Sequence, residues 1–478
     1  MTYPAVFDNV IGVDRLPTKS AALPVQEYYY VDGSEINILG SNLIKRICFN
    51  DRKMLANGTS FIVPQFVGKI ANYILENNFV YDINSVKDYL KENAKKIIRI
   101  EKEKKHQLAM EKVNKAIVLP LNKENHSLVR FINYLKFEIV DFYSFRQQLN
   151  IGEYVSNIVK LDRKVIGDKK VKNIEKIDWD SDFDTVIIGH IDLLTNAKNF
   201  SAIIMNILLN CVKHNKQVIT YDDYIYNNFV RNNDCLKNIK LAYNVVDNTF
   251  VPAGRYGKLW YINKPIVQVL GTRSQIGKFT CQIYLKTAFE KKGYQLGFLS
   301  TEPQGILFGA KNVYPFGYNS LVKIDIKEYV PALNELLHDI DEDDVDLILT
   351  GGQSGVVPYD LLNMERVLLE QVAFQYGVNP DCVVLCVSCD DEDEYIERNI
   401  HFIESSTNSK VISIVLFPVI KEMKYIGYYA DKNIDGQAAY YERMQEISNR
   451  FGLPVFESNE DSIQKCSEVI IDFLSDQE

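Results

Sequence analysis

The sequence predicts an α/β protein in which buried strands alternate with amphipathic helices. Short apolar runs at residues 115–121 (KAIVLPL), 185–189 (TVIIG) and 266–270 (IVQVL) are typical of buried strands. Longer segments at 200–214 and 281–292 have the length and spacing of helices. Strands that alternate with helices in this way are typical of parallel, doubly wound sheets. The prediction is therefore two such sheets, the last with a glycine-bounded loop directly after its first strand.

Composition limits the classes of protein and partner. The chain has 478 residues, of which 46% are hydrophobic and 24% charged, enough for about three globular domains. Its net charge of −9 gives no field that attracts nucleic acid or an anionic membrane. No apolar run reaches the roughly 18 residues of a membrane span, and no signal peptide is recognised at the start. We therefore expect a cytoplasmic protein with no nucleic-acid or membrane partner. The eight scattered cysteines predict neither a disulfide framework nor a metal site.

A run of charged residues sets the predicted domain boundaries. Residues 91–114 (KENAKKIIRIEKEKKHQLAMEKVN) are helix-prone without a stable apolar stripe, which is typical of a solvated linker helix. This predicts a first domain over 1–90 and a linker over 91–114. A Rossmann-like or flavodoxin-like domain would follow over 115–250, and a P-loop α/β domain over 251–478.

The first candidate site is a serine in the segment Gly58–Gly68 (GTSFIVPQFVG). Gly58 permits a tight turn, and Pro64 lies early enough in the following helix to be tolerated. Ser60 is predicted at the start of that helix, where backbone N–H groups and the helix dipole favour an oxyanion. The simpler interpretation is a serine that caps an ordinary core helix.

This segment resembles the nucleophile signature of the subtilisin-like serine proteases. The resemblance extends to Tyr3–Ala5, to residues 10–13 (VIGV) and to residues 36–40 (INILG). It implies a partial subtilase domain with Ser60 as nucleophile and a peptide as substrate. In subtilases the aspartate and histidine precede the serine, yet the first histidine here is His106. The resemblance thus implies that a separate chain supplies the catalytic aspartate and histidine.

The second candidate site is the loop Gly271–Thr280 (GTRSQIGKFT), which lies between a strand and a helix. That context is the one a phosphate-binding loop requires. We expect backbone N–H groups to surround an anion and Lys278 to neutralise a terminal phosphate. Phe279 occupies the position of the usual Mg²⁺ ligand, so either Thr280 takes that role or no residue does. The alternative is a structural glycine turn. The predicted binding residues of this loop are Ser274, Gln275, Ile276, Gly277, Lys278 and Thr280.

Two further loops extend this prediction through resemblance. The loop is similar to the P-loop of dethiobiotin synthetases and to that of the D-glutamate N-acetyltransferase family. In the latter family a second and a third loop correspond to residues 301–305 (TEPQG) and 351–355 (GGQSG). The resemblance adds Glu302, Gln304 and Gln353 to the nucleotide-binding residues. Residues 115–478 as a whole are similar to peptide-maturation-system proteins found beside clostridial natural-product peptide clusters.

The acidic residues leave the use of a metal open. Thr350 ends the strand where a Walker B aspartate is expected. We therefore expect ATP or another phosphate-containing ligand and leave Mg²⁺ open. The acidic run Asp390–Glu394 is interpreted as solvated first-turn residues of a helix.

Two functions follow from these sites. The first is a subtilase-like serine endopeptidase segment linked to a P-loop module, acting in the proteolytic maturation of a ribosomally made peptide. The alternative is a proteolytically inert protein that binds a nucleotide or transfers an acyl group at the P-loop.

Overall fold

The computed structural model describes residues 9–16, 23–32, 36–49, 52–56, 58–99, 110–146, 150–195, 199–247, 250–251, 259–317, 320–358, 369–425, 428–433 and 436–476. The chain divides into two compact units. The first comprises residues 1–105 with 252–261, and the second comprises residues 106–251 with 262–478.

The first unit contains a mixed four-stranded sheet and a separate hairpin. The sheet order is β1-β3-β2-β6, in which β1 runs parallel to β3, β2 antiparallel to β3, and β6 parallel to β2. Its buried core includes Tyr28, Ile38, Phe66 and Leu90. The elements are β1 (Gly12–Arg15), β2 (Tyr29–Asp32), β3 (Ile36–Gly40), the hairpin β4 (Lys45–Phe49) and β5 (Arg52–Ala56), helices α1 (Val63–Glu76) and α2 (Ile83–Glu92), and β6 (Lys96–Arg99).

The predicted linker helix over 91–114 is wrong in its first part. Helix α2 ends at Glu92, and β6 pairs with β2. The β-branched pair Ile97 and Ile98 suits a strand that extends an existing sheet, and this tertiary pairing outweighs the helix propensity of the lysines around it. Residues 100–109 and the quoted segment Tyr3–Ala5 lie outside the described residues.

The second unit begins with a six-stranded parallel sheet of order β12-β11-β10-β7-β8-β9. Chain order reverses between β7 and β10, which gives the arrangement of a Rossmann-type sheet. The elements are β7 (Lys115–Leu119), α3 (His126–Arg130), β8 (Glu138–Ser144), α4 (Val155–Val159), α5 (Arg163–Ile166), β9 (Val171–Asn173), β10 (Thr185–Ile188), α6 (Phe200–Lys213), β11 (Gln217–Thr220) and β12 (Lys240–Tyr243).

The second sheet of this unit has seven parallel strands in the order β15-β14-β16-β13-β17-β18-β21. The prediction of an α/β protein with parallel sheets is therefore confirmed. The elements are β13 (Ile266–Gly271), α7 (Lys278–Lys291), β14 (Leu296–Ser300), β15 (Asn312–Val313), α8 (Tyr329–Asp341), β16 (Leu347–Thr350), α9 (Leu369–Val378), β17 (Cys382–Ser388), α10 (Asp393–Ser406), β18 (Lys410–Phe417), the hairpin β19 (Val419–Tyr425) and β20 (Tyr428–Asn433), α11 (Gln437–Phe451), β21 (Val455–Glu457) and α12 (Glu460–Ser475).

Aromatic side chains join the two sheets of the second unit. Phe131, just after α3, packs edge-to-face on Phe279 of α7 and on Phe308, with ring centroids 5.9 and 6.2 Å apart. Tyr134 donates a hydrogen bond of 2.5 Å to Glu460 at the start of α12. Together these contacts hold the segment after α3 against α7 and α12. Within the described residues, no helix is both long enough and apolar enough to cross a membrane.

Candidate functional site

The loop between β13 and α7 has the conformation of an anion-binding turn. Gln275 and Gly277 adopt left-handed backbone conformations, with φ of 64° and 79°. A side chain at position 277 would also meet the Phe417 ring 2.6 Å from its Cβ, so only glycine fits there. Ser274 and Gln275 are exposed, whereas the Ile276 side chain is buried. The predicted loop residues therefore lie at the start of a 14-residue helix, whose N-terminus favours an anion.

Lys278, the first residue of α7, is buried with only 8% of its surface exposed. Its Nζ donates to the carbonyl oxygens of Arg273 and Ser354, at 2.7 and 3.0 Å. Burial lowers the pKa of this amine to about 8, although the nearby Cys386 and Glu302 act in the opposite direction. Lys278 forms no ion pair with any residue that the structure describes. Among these residues it is thus a buried cation without a direct anionic partner.

The other two predicted loops meet beside Lys278. Gln353 Nε2 donates to Glu302 Oε1 at 2.8 Å and to the Thr301 carbonyl at 2.9 Å. Burial raises the pKa of the Glu302 carboxyl, while the contacts with Gln353 and Lys278 lower it. Gln304 is also buried, and its Oε1 atom has no hydrogen-bond partner among the described residues. The resemblance therefore pointed to residues that do come together at the carboxyl ends of β14 and β16.

Asp391 is a site residue that the sequence analysis assigned wrongly. Only 3% of its surface is exposed, and it accepts hydrogen bonds from Thr272 Oγ1 at 2.6 Å and from the Ser388 amide at 2.8 Å. Arg273 forms ion pairs with Asp390 and Asp391. The interpretation of the whole run as solvated was wrong because β17 lies next to β13 and directs Asp391 onto the P-loop. Asp393 and Glu394 do lie in the first turn of α10, as expected.

The residue in place of the usual Mg²⁺ ligand has a packing role. Phe279 contacts Phe131 and Phe308 in the aromatic cluster that joins the two sheets. Thr280, the next residue on α7, is partly exposed. No cluster of three metal-binding side chains occurs among the described residues. Asp346 does not supply the missing acid, because it binds the Gln295 amide at the opposite end of the sheet.

Ser60 lies in the first unit, in a 3₁₀ turn over Thr59–Phe61 that leads directly into α1. Its side chain is exposed. Thr59 Oγ1 donates to Asp14 Oδ1 at 2.6 Å, which ties the turn to the end of β1. Neither segment of the first unit, 1–105 or 252–261, contains a histidine. This unit therefore offers no imidazole base to Ser60.

Comparisons with known proteins concern the domain that contains the seven-stranded sheet. Residues 256–466 match the family model of the P-loop domain called domain of unknown function DUF1611_C. This match coincides with the strand, loop and helix around Lys278. The domain that contains the seven-stranded sheet is a P-loop domain. Neither this family match nor the solved structures described below include a subtilase.

One solved structure shows a similar fold over most of this chain, and two further matches cover less than half of it. The crystal structure of a DUF1611 family protein from Anabaena variabilis is 14% identical, with a TM-score of 0.53, over 76% of this chain and 98% of that one. A nucleotide-binding protein in complex with ADP from Archaeoglobus fulgidus is 14% identical, with a TM-score of 0.26, over 43% of this chain and 86% of that one. Cobyrinic acid a,c-diamide synthase from Mycobacterium smegmatis with bound ADP and magnesium is 10% identical, with a TM-score of 0.29, over 45% of this chain and 97% of that one. A search of the curated proteins found no match.

Proposed function

We propose that the P-loop domain binds a nucleotide or another phosphate-containing ligand between Lys278 and the loop amides. The observation that carries this proposal is the burial of Lys278 without a direct anionic partner among the residues that the structure describes. Burying an ammonium group costs free energy unless it is paired, so a structural role alone does not explain it. A phosphate at the N-terminus of α7 would supply the missing charge.

The polar groups around Lys278 support a ligand larger than inorganic phosphate. Glu302 and Gln353 lie at the carboxyl ends of neighbouring strands, where open α/β sheets bind ligands. The unpartnered Gln304 Oε1 is available as a further acceptor. Mg²⁺ would reach the protein through Thr280 or through the ligand's own phosphates, because Phe279 replaces the usual hydroxyl.

A thermal-shift screen tests this proposal. ATP, GTP, acetyl-CoA and inorganic phosphate are compared, each with and without Mg²⁺. A ligand that binds the folded state raises the melting temperature as its concentration passes Kd. Lys278→Ala should abolish most of the rise, whereas Lys291→Ala, which removes an exposed lysine of the same helix, should preserve it. A response to acetyl-CoA and not ATP would favour acyl transfer, and no response to any probe would refute the proposal.

We propose as a second candidate that Ser60 belongs to a protease site that a separate chain completes. The subtilase-like order of Gly58, Thr59 and Ser60, the exposure of Ser60 and a small adjoining cleft favour it. The cleft is lined by Arg15, Ser41, Asn42, Leu43, Gly58, Phe61 and Ile62. A peptide would be the substrate, and the partner chain would contribute the aspartate and the histidine that activate the serine.

A fluorophosphonate probe tests this second candidate. The chain alone should not label at a protease-like rate, because a serine without a general base loses its activating proton transfer. Rapid labelling that disappears in Ser60→Ala would show that no partner is needed. If a partner that carries the aspartate and histidine is added, labelling of the wild type and not of Ser60→Ala is expected.

A further inference from the structure

The Rossmann-type sheet of the second unit has its own point of strand-order reversal, distinct from the P-loop, and we call the space outside the carboxyl ends of its strands at this point the crevice. Strand order reverses between β7 and β10, and ligands of such sheets bind outside the carboxyl ends of the strands at this point. Glu124 follows β7, His190 follows β10, and Asp222 follows β11. Three neighbouring strands therefore bring three titratable side chains to one place.

His190 and Asp222 form a nearly buried pair. His190 Nδ1 lies 2.5 Å from Asp222 Oδ2, and the two side chains are 8% and 11% exposed. Burial lowers the pKa of His190, but the Asp222 hydrogen bond and the charges of Glu124, Asp222 and Asp192 raise it overall. Because Asp222 occupies Nδ1, Nε2 is the atom that is able to exchange a proton with a bound molecule.

Hydrogen bonds hold the loops that carry this pair. Asp222 Oδ1 accepts from the Tyr224 amide at 2.9 Å. Tyr221 donates to Asn125 Oδ1 at 2.6 Å, and Asn125 Nδ2 donates to the Pro120 carbonyl at 2.8 Å. The loops after β7 and β11 are thus tied to each other, so the crevice is fixed before a ligand arrives.

The charged groups that face His190 are carboxylates. Partly exposed Glu124 accepts from Asn122 Nδ2 at 3.0 Å and from the His190 backbone amide. Asp192 is exposed beside it. Within the described part of the chain, neither Glu124 nor Asp192 pairs with a lysine or arginine. Burial raises the pKa of the Glu124 carboxyl, whereas His190 and Asn122 lower it. When His190 is neutral, a cation entering the crevice would find negative charge that no lysine or arginine of the described residues balances.

The crevice faces the P-loop. The negative charge of Glu124 contributes to the raised pKa of Glu302, so the two carboxyl groups interact across the two sheets. Phe131, which follows the helix after Glu124, packs on Phe279 beside Lys278. A molecule bound at His190 would lie on the side of the six-stranded sheet that meets helix α7.

We propose that this crevice is a second ligand site, which binds a small primary amine as its ammonium ion against Glu124, with the His190–Asp222 pair as proton acceptor. His190 Nε2 would take one proton from the ammonium, and the nitrogen lone pair would then be free. The role of this amine as a nucleophile beside a phosphate-containing ligand rests on the proposed function, whereas its binding does not.

Histidine NMR of the full chain tests the proposal, with butylamine, butan-1-ol and butyrate as probes. The signal of His190 is identified by its loss in His190→Gln, which removes one of the six histidines. Butylamine at millimolar concentration should shift this signal saturably, whereas butan-1-ol and butyrate should not. Glu124→Gln should weaken butylamine binding about tenfold, since a hydrogen bond to a charged group is lost.

The control variant is Glu138→Gln, which removes a carboxylate at the opposite end of the same sheet. It should bind butylamine as the wild type does. The absence of a saturable shift, equal binding of butyrate, or equal weakening by Glu138→Gln would overturn the proposal. Lys278→Met should keep the butylamine response while losing any ATP response, which separates failure of this site from failure of the P-loop.

Discussion

Phe279 packs edge-to-face against Phe131, with ring centroids 5.9 Å apart and an interplanar angle of 74°. This contact explains why an aromatic residue stands where P-loops usually carry a hydroxyl for Mg²⁺. The first turn of α7 is used to join two parallel sheets, and the residue after the P-loop lysine forms that junction.

We expect Phe279→Thr to destabilise the second unit by about 2–3 kcal/mol, since a partly buried aromatic cluster loses its central ring. Urea unfolding measures the change, and Tyr376→Thr, at an exposed aromatic of α9, is the control. A loss no larger than that of the control would show that the junction does not depend on Phe279.

Thr272→Val tests the anchoring of the P-loop by Asp391. The substitution preserves shape but removes the donor of the 2.6 Å hydrogen bond to a buried carboxylate. The free energy of unfolding should fall by about 1–3 kcal/mol, and affinity for the P-loop ligand should fall as well. The control is Thr287→Val in helix α7, where the hydroxyl donates to the Ile283 carbonyl. This variant should have a smaller effect on unfolding and none on ligand affinity.

The first unit should be the least protected part of the chain in hydrogen exchange. On its helix α1, Val67 and Leu75 are 60% and 57% exposed. A small unit with so much apolar surface exposed gains little stability from burial. Slow exchange in α1 equal to that of β13 would contradict this expectation, and slower exchange on addition of a partner chain would support the second candidate function.

Lys278→Met should stabilise the protein without ligand at neutral pH. The folded-state pKa of Lys278 is about 8 against an ordinary 10.5, so the unfolded chain binds this proton more tightly. Wild-type stability should therefore rise between these two pH values, and the advantage of the variant should disappear above the upper one. The shift corresponds to about 3 kcal/mol, less the two hydrogen bonds lost. Urea unfolding at both ends of this range measures it, and Lys291→Met should show no such pH dependence.

Much of the fold follows from local sequence. The apolar runs around β7, β10 and β13 are buried strands because both faces of a parallel sheet are covered. Glycines and a lysine at fixed spacing also located the P-loop. The predictions that failed concern features that depend on pairing between distant segments. These features are the strand Lys96–Arg99 and the buried side chain of Asp391.

The crevice of the Rossmann-type sheet was not predicted either. Glu124, His190 and Asp222 each follow a strand, but only the strand order places the three strands side by side. A titratable residue within five positions after each of several parallel strands was the signal that could have found them.

Calorimetric titration of the P-loop ligand near pH 8 tests the central claim most directly. Binding of a phosphate beside Lys278 should raise the pKa of this amine, so the complex takes up protons from the buffer. We predict that ATP or acetyl-CoA binds with proton uptake, seen as a dependence of the heat on the buffer's ionisation enthalpy. Lys278→Met should bind more than about tenfold more weakly and without that uptake. Equal affinity of wild type and variant, or no binding of either ligand, would contradict the account.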